Sequence, residues 1–155
     1  TSALNQTYND LEIVICNDGS KDGTGEFLEN NYANNPRITI IHQKNGGIGS
    51  ASNKCIENCK GMFILQLDSD DELLPNALEE LLKSIKDRPK VSCVYGRHNK
   101  FDRETNELSE AWHVPKFTRT RMLFGMIVFY CPLSCHPSRI GIYLSFTCLD
   151  KLLYW

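Results

Sequence analysis

The sequence predicts an α/β domain with a mostly parallel sheet flanked by helices, and three observations carry the prediction. Short apolar runs rich in β-branched residues end abruptly in polar turns, and segments with helical spacing of apolar residues stand between them. The runs also lack polar alternation, which suits strands covered on both faces of a parallel sheet.

The first run, Leu11 to Cys16, stops at Asn17-Asp18-Gly19-Ser20, the pattern of a buried strand followed by a turn. Thr24 is a cap candidate for a helix whose modest apolar face is Phe27, Leu28 and Tyr32, and Asn34-Asn35-Pro36 closes it before a second strand, Ile38 to Ile41. Asn45-Gly46-Gly47 then breaks the chain. Ile48, Ala51, Ser52, Cys55, Ile56 and Cys59 recur at helical spacing up to Lys60-Gly61, and a third strand, Met62 to Leu67, follows. After Asp68-Ser69-Asp70-Asp71, Pro75 marks a helix start, with Leu78, Leu81, Leu82 and Ile85 at i, i+3, i+4 and i+7. Val91 to Tyr95 reads as a further strand.

The 155 residues suit a single core, and the formal net charge of -2 with interspersed signs lacks the clustered basic surface that nucleic acid requires. No nucleic-acid partner is expected. Seven cysteines, an odd number, with no leader-like opening point to a reducing compartment rather than a disulfide framework. The longest apolar run, Met122 to Leu133, is interrupted by Gly125 and is too short to cross a bilayer core of about 30 Å. No membrane span is expected, and the location expected is cytoplasmic, with the inner face of the membrane as the alternative for a complete protein. The chain starts without methionine and reads as an internal fragment.

In parallel α/β sheets ligands bind beyond the carboxyl ends of the strands, and both acidic segments fall there. Asp68 and Asp70, two positions apart in what is expected to be extended chain, would project their carboxylates to one side. A hard divalent cation shared with diphosphate oxygens would relieve their repulsion; an acidic turn capping the next helix is the plainer alternative. Asp18 can close an Asx turn with Ser20 or accept a hydrogen bond from a base or ribose. Asn45-Gly46-Gly47-Ile48-Gly49 can admit a ligand to the backbone or serve as a flexible link before a helix.

Taken together, Asn5-Gln6-Thr7-Tyr8, Leu11-Glu12-Ile13-Val14-Ile15, Asn17-Asp18-Gly19-Ser20-Lys21-Asp22-Gly23-Thr24 and Asp68-Ser69-Asp70-Asp71 resemble glycosyltransferase family 2 in order and spacing. The resemblance runs from about Ser2 to Tyr95. A narrower one, to the bacterial chondroitin and hyaluronan polymerase type, lies in the segment Asn45 to Asn53, in Gln66 to Asp71, in Cys93-Val94-Tyr95 and in the run Trp112 to Met126. Within that run, Trp112, Pro115, Phe117, Thr118 and Arg119 resemble a Trp-Pro-x-Phe-Ser-Arg segment with one extra residue.

The resemblance implies a GT-A fold in which Asp18, Asn45, Gly46, Asp68 and Ser69 bind a UDP-sugar donor. Asp68 and Asp70 would hold Mn2+ or Mg2+, with Asp70 the direct ligand, and the sugar would pass to a glycan acceptor with inversion. It assigns residues 1–128 to the donor-binding half of the domain and 129–155 to a divergent tail. The family's opening strand does not occur in the sequence, so one side of the base pocket and a row of backbone groups are expected to lack their partner. No catalytic base is assigned, since Asp150 is the only carboxylate side chain from Phe129 to Trp155 and its surroundings match no base segment.

Three other readings are weighed. Cys55-x-x-x-Cys59 and Cys131-x-x-x-Cys135-His136 could suggest zinc, but Cys55 and Cys59 fall on an apolar helix face, where thiols pack. Gly47-x-Gly49 roughly resembles an NAD-type dinucleotide loop, yet Ser52 occupies the third glycine position. A non-catalytic nucleotide-binding fragment is the third. His42, His98 and His113 are read as surface or packing residues, and Arg97, Lys100 and Arg103 as a solvated loop.

Overall fold

The computed structural model describes residues 2–86, 88, 91, 93–96, 99–102, 104–110, 127–130 and 136–147. The elements run β1 (Leu11–Asp18), α1 (Thr24–Tyr32), β2 (Ile38–Gln43), α2 (Ile48–Asn58), β3 (Gly61–Asp68), α3 (Ala77–Ile85), β4 (Cys93–Tyr95), β5 (Asn99–Phe101), β6 (Leu108–Glu110), β7 (Ile127–Tyr130) and β8 (His136–Thr147). The main sheet has the order β2-β1-β8-β3-β7-β4, and β5 with β6 forms a separate antiparallel pair.

Strands β2, β1, β8 and β3 are mutually parallel, while β7 is antiparallel to both β3 and β4. The expected α/β sheet is therefore mostly parallel, with one reversed strand. Strand alternation divides the core between two faces. Ile13, Ile15, Leu65 and Leu67 pack with Leu28 of α1 and with Leu78 and Ile85 of α3. Val14, Cys16 and Ile64 pack with Ala51 and Cys55 of α2. The apolar residues that give α2 its spacing thus bury only one stripe, and Ile48 and Ile56 remain exposed.

β8, the last described element, lies between β1 and β3 and pairs with both. The sheet continues across the boundary expected at residue 128: β7 straddles it, and β8 pairs through residues 140–147 with β1 and through 136 and 140–145 with β3. Pro137, which has no N–H to donate, falls where the register shifts between Gly61 and Phe63.

Two helix starts differ from expectation. Thr24 is the first residue of α1 rather than its cap; the Asp22 carboxylate accepts from the Thr24 N–H at 3.1 Å and its hydroxyl at 2.6 Å. Helix α3 opens at Ala77, two residues after Pro75, because the Pro75 carbonyl accepts from the Thr7 N–H at 2.8 Å and Ala77 N–H closes a turn on Leu74. Gln6 reinforces that join. Its amide donates to the Leu74 carbonyl at 2.8 Å and the Ser2 carbonyl at 3.1 Å, and its oxygen accepts from the Leu78 N–H at 3.1 Å.

Candidate functional site

Parallel pairing to β8 aligns Asp18 with Thr147 and Asp68 with Ser145, so both aspartates reach the carboxyl-end rim of the sheet. They sit two strands apart and two residues offset along β8, roughly 12 Å between Cα atoms at ordinary strand spacing and rise, and alternation directs both toward the α2 face. That separation is too wide for one cation to bridge the two carboxylates directly, but it can be spanned by a ligand the size of a nucleoside diphosphate.

Asp18 is 0% exposed. One carboxylate oxygen accepts from the Gln43 side-chain amide at 2.7 Å and the Gly46 N–H at 2.8 Å, and the other accepts from the Gly47 N–H at 2.9 Å. Gly47 takes φ 82°, a left-handed value that turns the chain into α2. Gly19, at φ 77°, brings its turn so close to the loop that an added Cβ would lie 2.8 Å from the Asn45 nitrogen. Asp18, Asn45 and Gly46 are thus brought together, with Asn45 and Gly46 exposed above the buried carboxylate. The sequence reading missed Gln43 and Ser50, which are linked at 3.2 Å and brace the same loop.

The expected Asx turn at 17–20 forms through Asn17 rather than Asp18: the Asn17 side-chain oxygen accepts from the Ser20 N–H at 3.0 Å. The Asn17 amide donates to His42 Nδ1 at 3.2 Å, and His42 Nε2 meets Glu29 at 2.9 Å. Because an amide nitrogen only donates, this geometry fixes Nδ1 as acceptor and Nε2–H as donor. His42, read from the sequence as isolated, instead couples α1 to the turn preceding the site.

The second acidic segment is a turn, not the extended chain expected. The Asp71 N–H donates back to the Asp68 carbonyl at 3.1 Å, which removes the strand alternation on which the parallel projection of Asp68 and Asp70 relied. Asp68, Ser69, Asp70 and Asp71 are all exposed, and Asp68 accepts a long 3.4 Å bond from the Gln66 amide. Among the described residues no group of three His, Cys, Asp or Glu side chains is assembled to cage a metal. Exposed carboxylates of this kind fit a hard cation that takes one or two of them and completes its shell with phosphate oxygens and water.

Asp68 and Ser69 also reach the mouth of a cavity of about 540 Å³ on the α1 side of the sheet, together with Asp22 and Asp71. Its floor is apolar, formed by Ile13, Ile15, Leu28 and Leu67. Asp70, Asp18, Asn45 and Gly46 do not line it. The Thr24 hydroxyl and backbone N–H hold the Asp22 carboxyl below its ordinary value, so the cavity mouth is anionic at neutral pH.

The thiols at the zinc alternative pack instead. Cys16 and Cys55 are buried and Cys59 is partly buried, all three without disulfides. Burial first, then the neighbouring Cys16 and Cys59, pushes the Cys55 thiol up to about 12. Cys131 and Cys135, like His98, His113, Arg97, Arg103 and Trp112 to Met126, lie outside the described residues.

An α/β sheet with acidic and glycine-rich turns on one carboxyl-end rim defines a small-ligand-binding class. Residues 1–137 match the sequence profile of glycosyl transferase family 2. The chain belongs to that family, and its fold is GT-A. It is 45% identical over 139 residues to a chondroitin synthase of Escherichia coli, covering 90% of this chain and 19% of the relative. It is 44% identical over 126 residues to a hyaluronan synthase of Pasteurella multocida, covering 81% of this chain and 13% of the relative. A glycosyltransferase GlyG of Streptococcus pneumoniae is 34% identical over 100 residues, with 64% and 33% covered. The chain therefore spans a third or less of the length of these relatives. Among the described residues no helix is long and apolar enough to cross a membrane.

Proposed function

We propose that this chain binds a UDP-sugar together with Mn2+ or Mg2+, as the donor half of an inverting glycosyltransferase that extends a glycan. The observation that carries the reading is the convergence of the acidic turn 68–71 after β3 and the glycine-rich loop 45–47 after β2 on one rim of parallel strands. Residues 1–128 are assigned to this donor half. The relatives named chondroitin synthase and hyaluronan synthase support a polysaccharide product, with a growing glycan as acceptor.

In this reading Asp68 and Asp70 hold the cation, Ser69 contacts the sugar-nucleotide, and Asn45 and Gly46 bound the nucleotide with Asp18 beneath them. The cation, when bound, supplies Lewis-acid neutralisation of charge on the departing UDP. A diphosphate would be repelled by the anionic mouth formed by Asp22, Asp68 and Asp71, so donor binding at this turn is expected to require added positive charge. The acceptor hydroxyl needs a base, and none is assigned.

Calorimetric titration of UDP with and without Mn2+ tests the reading. Binding that requires Mn2+ and disappears in a folded Asp68→Ala/Asp70→Ala variant is the expected result. Metal-independent binding retained by that variant would sink it.

A further inference from the structure

We propose that His42 is a proton-controlled latch on the turn that ends β1: uncharged, its ring holds Asn17 in the turn that closes on Ser20, and charged, it releases that turn from the loop at Asn45. Three bonds fix the arrangement. The Asn17 side-chain oxygen accepts from the Ser20 N–H at 3.0 Å, so the amide nitrogen is the group that meets His42 Nδ1 at 3.2 Å. An amide nitrogen only donates, so Nδ1 carries no proton and the ring's N–H is at Nε2, which meets Glu29 at 2.9 Å. Only a neutral ring can make all three bonds.

A proton added at Nδ1 makes that nitrogen a donor facing a donor. The Asn17 amide can turn over to accept from it, but its NH2 group then faces the Ser20 N–H, so one of the two bonds is lost either way. Glu29 accepts from Nε2–H in both charge states and anchors the ring while Asn17 changes partner. The His42 side chain is 44% exposed, open to solvent protons, and imidazole ordinarily changes charge between about pH 5 and 8. Of the two carboxylates on α1, Glu29 makes the contact and Glu26 stands three residues before it. From β1 the ring meets the uncharged Asn17 amide, while the Asp18 carboxylate is turned to the α2 face and held by Gln43, Gly46 and Gly47. Lys44 follows two residues on from His42 in the chain.

Packing on both sides ties this exchange of partners to the loop after β2. Gly25 of α1 lies against the pair: a Cβ there would stand 3.0 Å from the Asn17 amide nitrogen and 3.5 Å from His42 Cε1, so the helix approaches with only a glycine's clearance. Beyond the turn, Gly19 seats against Asn45, where an added Cβ would lie 2.8 Å from the backbone nitrogen. Losing the Ser20 bond therefore loosens the corner that braces Asn45. The consequence for a ligand at Asn45 rests on the donor-site reading, whereas the proton-dependent turn does not.

Hydrogen-exchange protection of the Ser20 amide, followed by NMR from pH 5.5 to pH 8 beside the ring nitrogen signals of His42 and with no ligand present, tests the latch. In wild type the protection falls about fivefold as the His42 ring gains its proton, the effect of one hydrogen bond. His42→Gln keeps an acceptor and a donor but does not titrate, and its Ser20 protection stays constant. Asn17→Asp accepts from the Ser20 N–H and from a charged ring alike, so there too the fall disappears; if His42→Gln does not fold, this variant carries the comparison. Wild-type protection unchanged across the His42 titration, or a fall of equal size in the variants, overturns the latch. Titration of UDP with Mn2+ at pH 6 and pH 8 reads the consequence at the loop: wild type loses up to about fivefold more affinity at the lower pH than His42→Gln, and equal losses overturn the link to Asn45. Failure of wild type to bind UDP at either pH, with Ser20 protection following the His42 titration, would overturn the donor-site reading while supporting the latch.

Discussion

Replacing Gly19 by alanine tests how tightly the turn after β1 is built against the loop after β2. Two costs combine. At φ 77° an L side chain adopts the left-handed region, which costs about 1–2 kcal/mol. The new Cβ would stand 2.8 Å from the Asn45 backbone nitrogen and 3.3 Å from its Cβ. Backbone cannot rotate away as a side-chain tip can, so the loop must shift, adding about 1–3 kcal/mol as for other overpacked sites.

Gly23→Ala is the matched control: φ is 85°, but nothing lies within 4 Å of the added atom. With a urea dependence of about 2 kcal/mol per M, Gly19→Ala should lower the denaturation midpoint by about 1–2.5 M and Gly23→Ala by about 0.5–1 M. Chemical denaturation followed by circular dichroism measures both. Equal shifts would refute the contact between the two turns, because the left-handed cost alone would then explain everything.

Three further outcomes follow from buried polar groups and thiols. Gln6→Ala removes three hydrogen bonds that join the segment before β1 to the start of α3 and leaves the buried Leu78 N–H unpartnered; about 2–4 kcal/mol of stability should be lost, read from the same urea titration. Native alkylation with iodoacetamide at pH 8, followed by peptide mass mapping, should modify Cys59 well before Cys16 or Cys55, since the latter two are buried and hold their protons. The Cys55 thiol keeps its proton to about pH 12 when folded against an ordinary value of 9.0 when exposed. The folded state then binds more protons between those values, so this contribution is complete below pH 9 and lost as pH rises toward 12. The stability gap between wild type and Cys55→Ala should therefore narrow on going from pH 8 to pH 10.5, whereas parallel curves would contradict the burial account.

The parts of the fold legible in the sequence are those set by local pattern. Leu11 to Cys16, Ile38 to Ile41 and Met62 to Leu67 are apolar runs stopped by turn residues, and each forms the core of a strand. The position of β8 was not legible, because a strand's place in a sheet depends on partners far away in sequence; β8 pairs with residues more than 60 positions distant on both sides. The resemblance lapsed before it, and nothing in residues 136–147 names β1 or β3 as neighbours.

The site shows the same division. That Asp18 and Asp68 would reach one rim followed from the strand pattern, and their register with β8 bears this out. The burial of Asp18 did not follow, since its donors come from 25 to 29 residues away. Nor did the turn at Asp68, where a backbone bond to Asp71 prevailed over continued extension. A usable signal for His42 existed in its place near the end of the β2 run, where a side chain can meet the turn after the neighbouring strand, but sequence alone does not pair it with Asn17 and Glu29.

The central claim is that the acidic turn and the glycine-rich loop belong to one metal-dependent donor site. Paramagnetic broadening of amide NMR signals by Mn2+ in the presence of UDP tests it, with Mg2+ and UDP as the diamagnetic reference. The account predicts strongest broadening at Ser69, Asp70 and Asp71, UDP-dependent shifts at Asn45 and Gly46, and loss of both in Asp68→Ala/Asp70→Ala. Broadening centred instead on another acidic stretch, such as Asp102 to Glu107, with Asn45 and Gly46 unmoved by UDP, would contradict it.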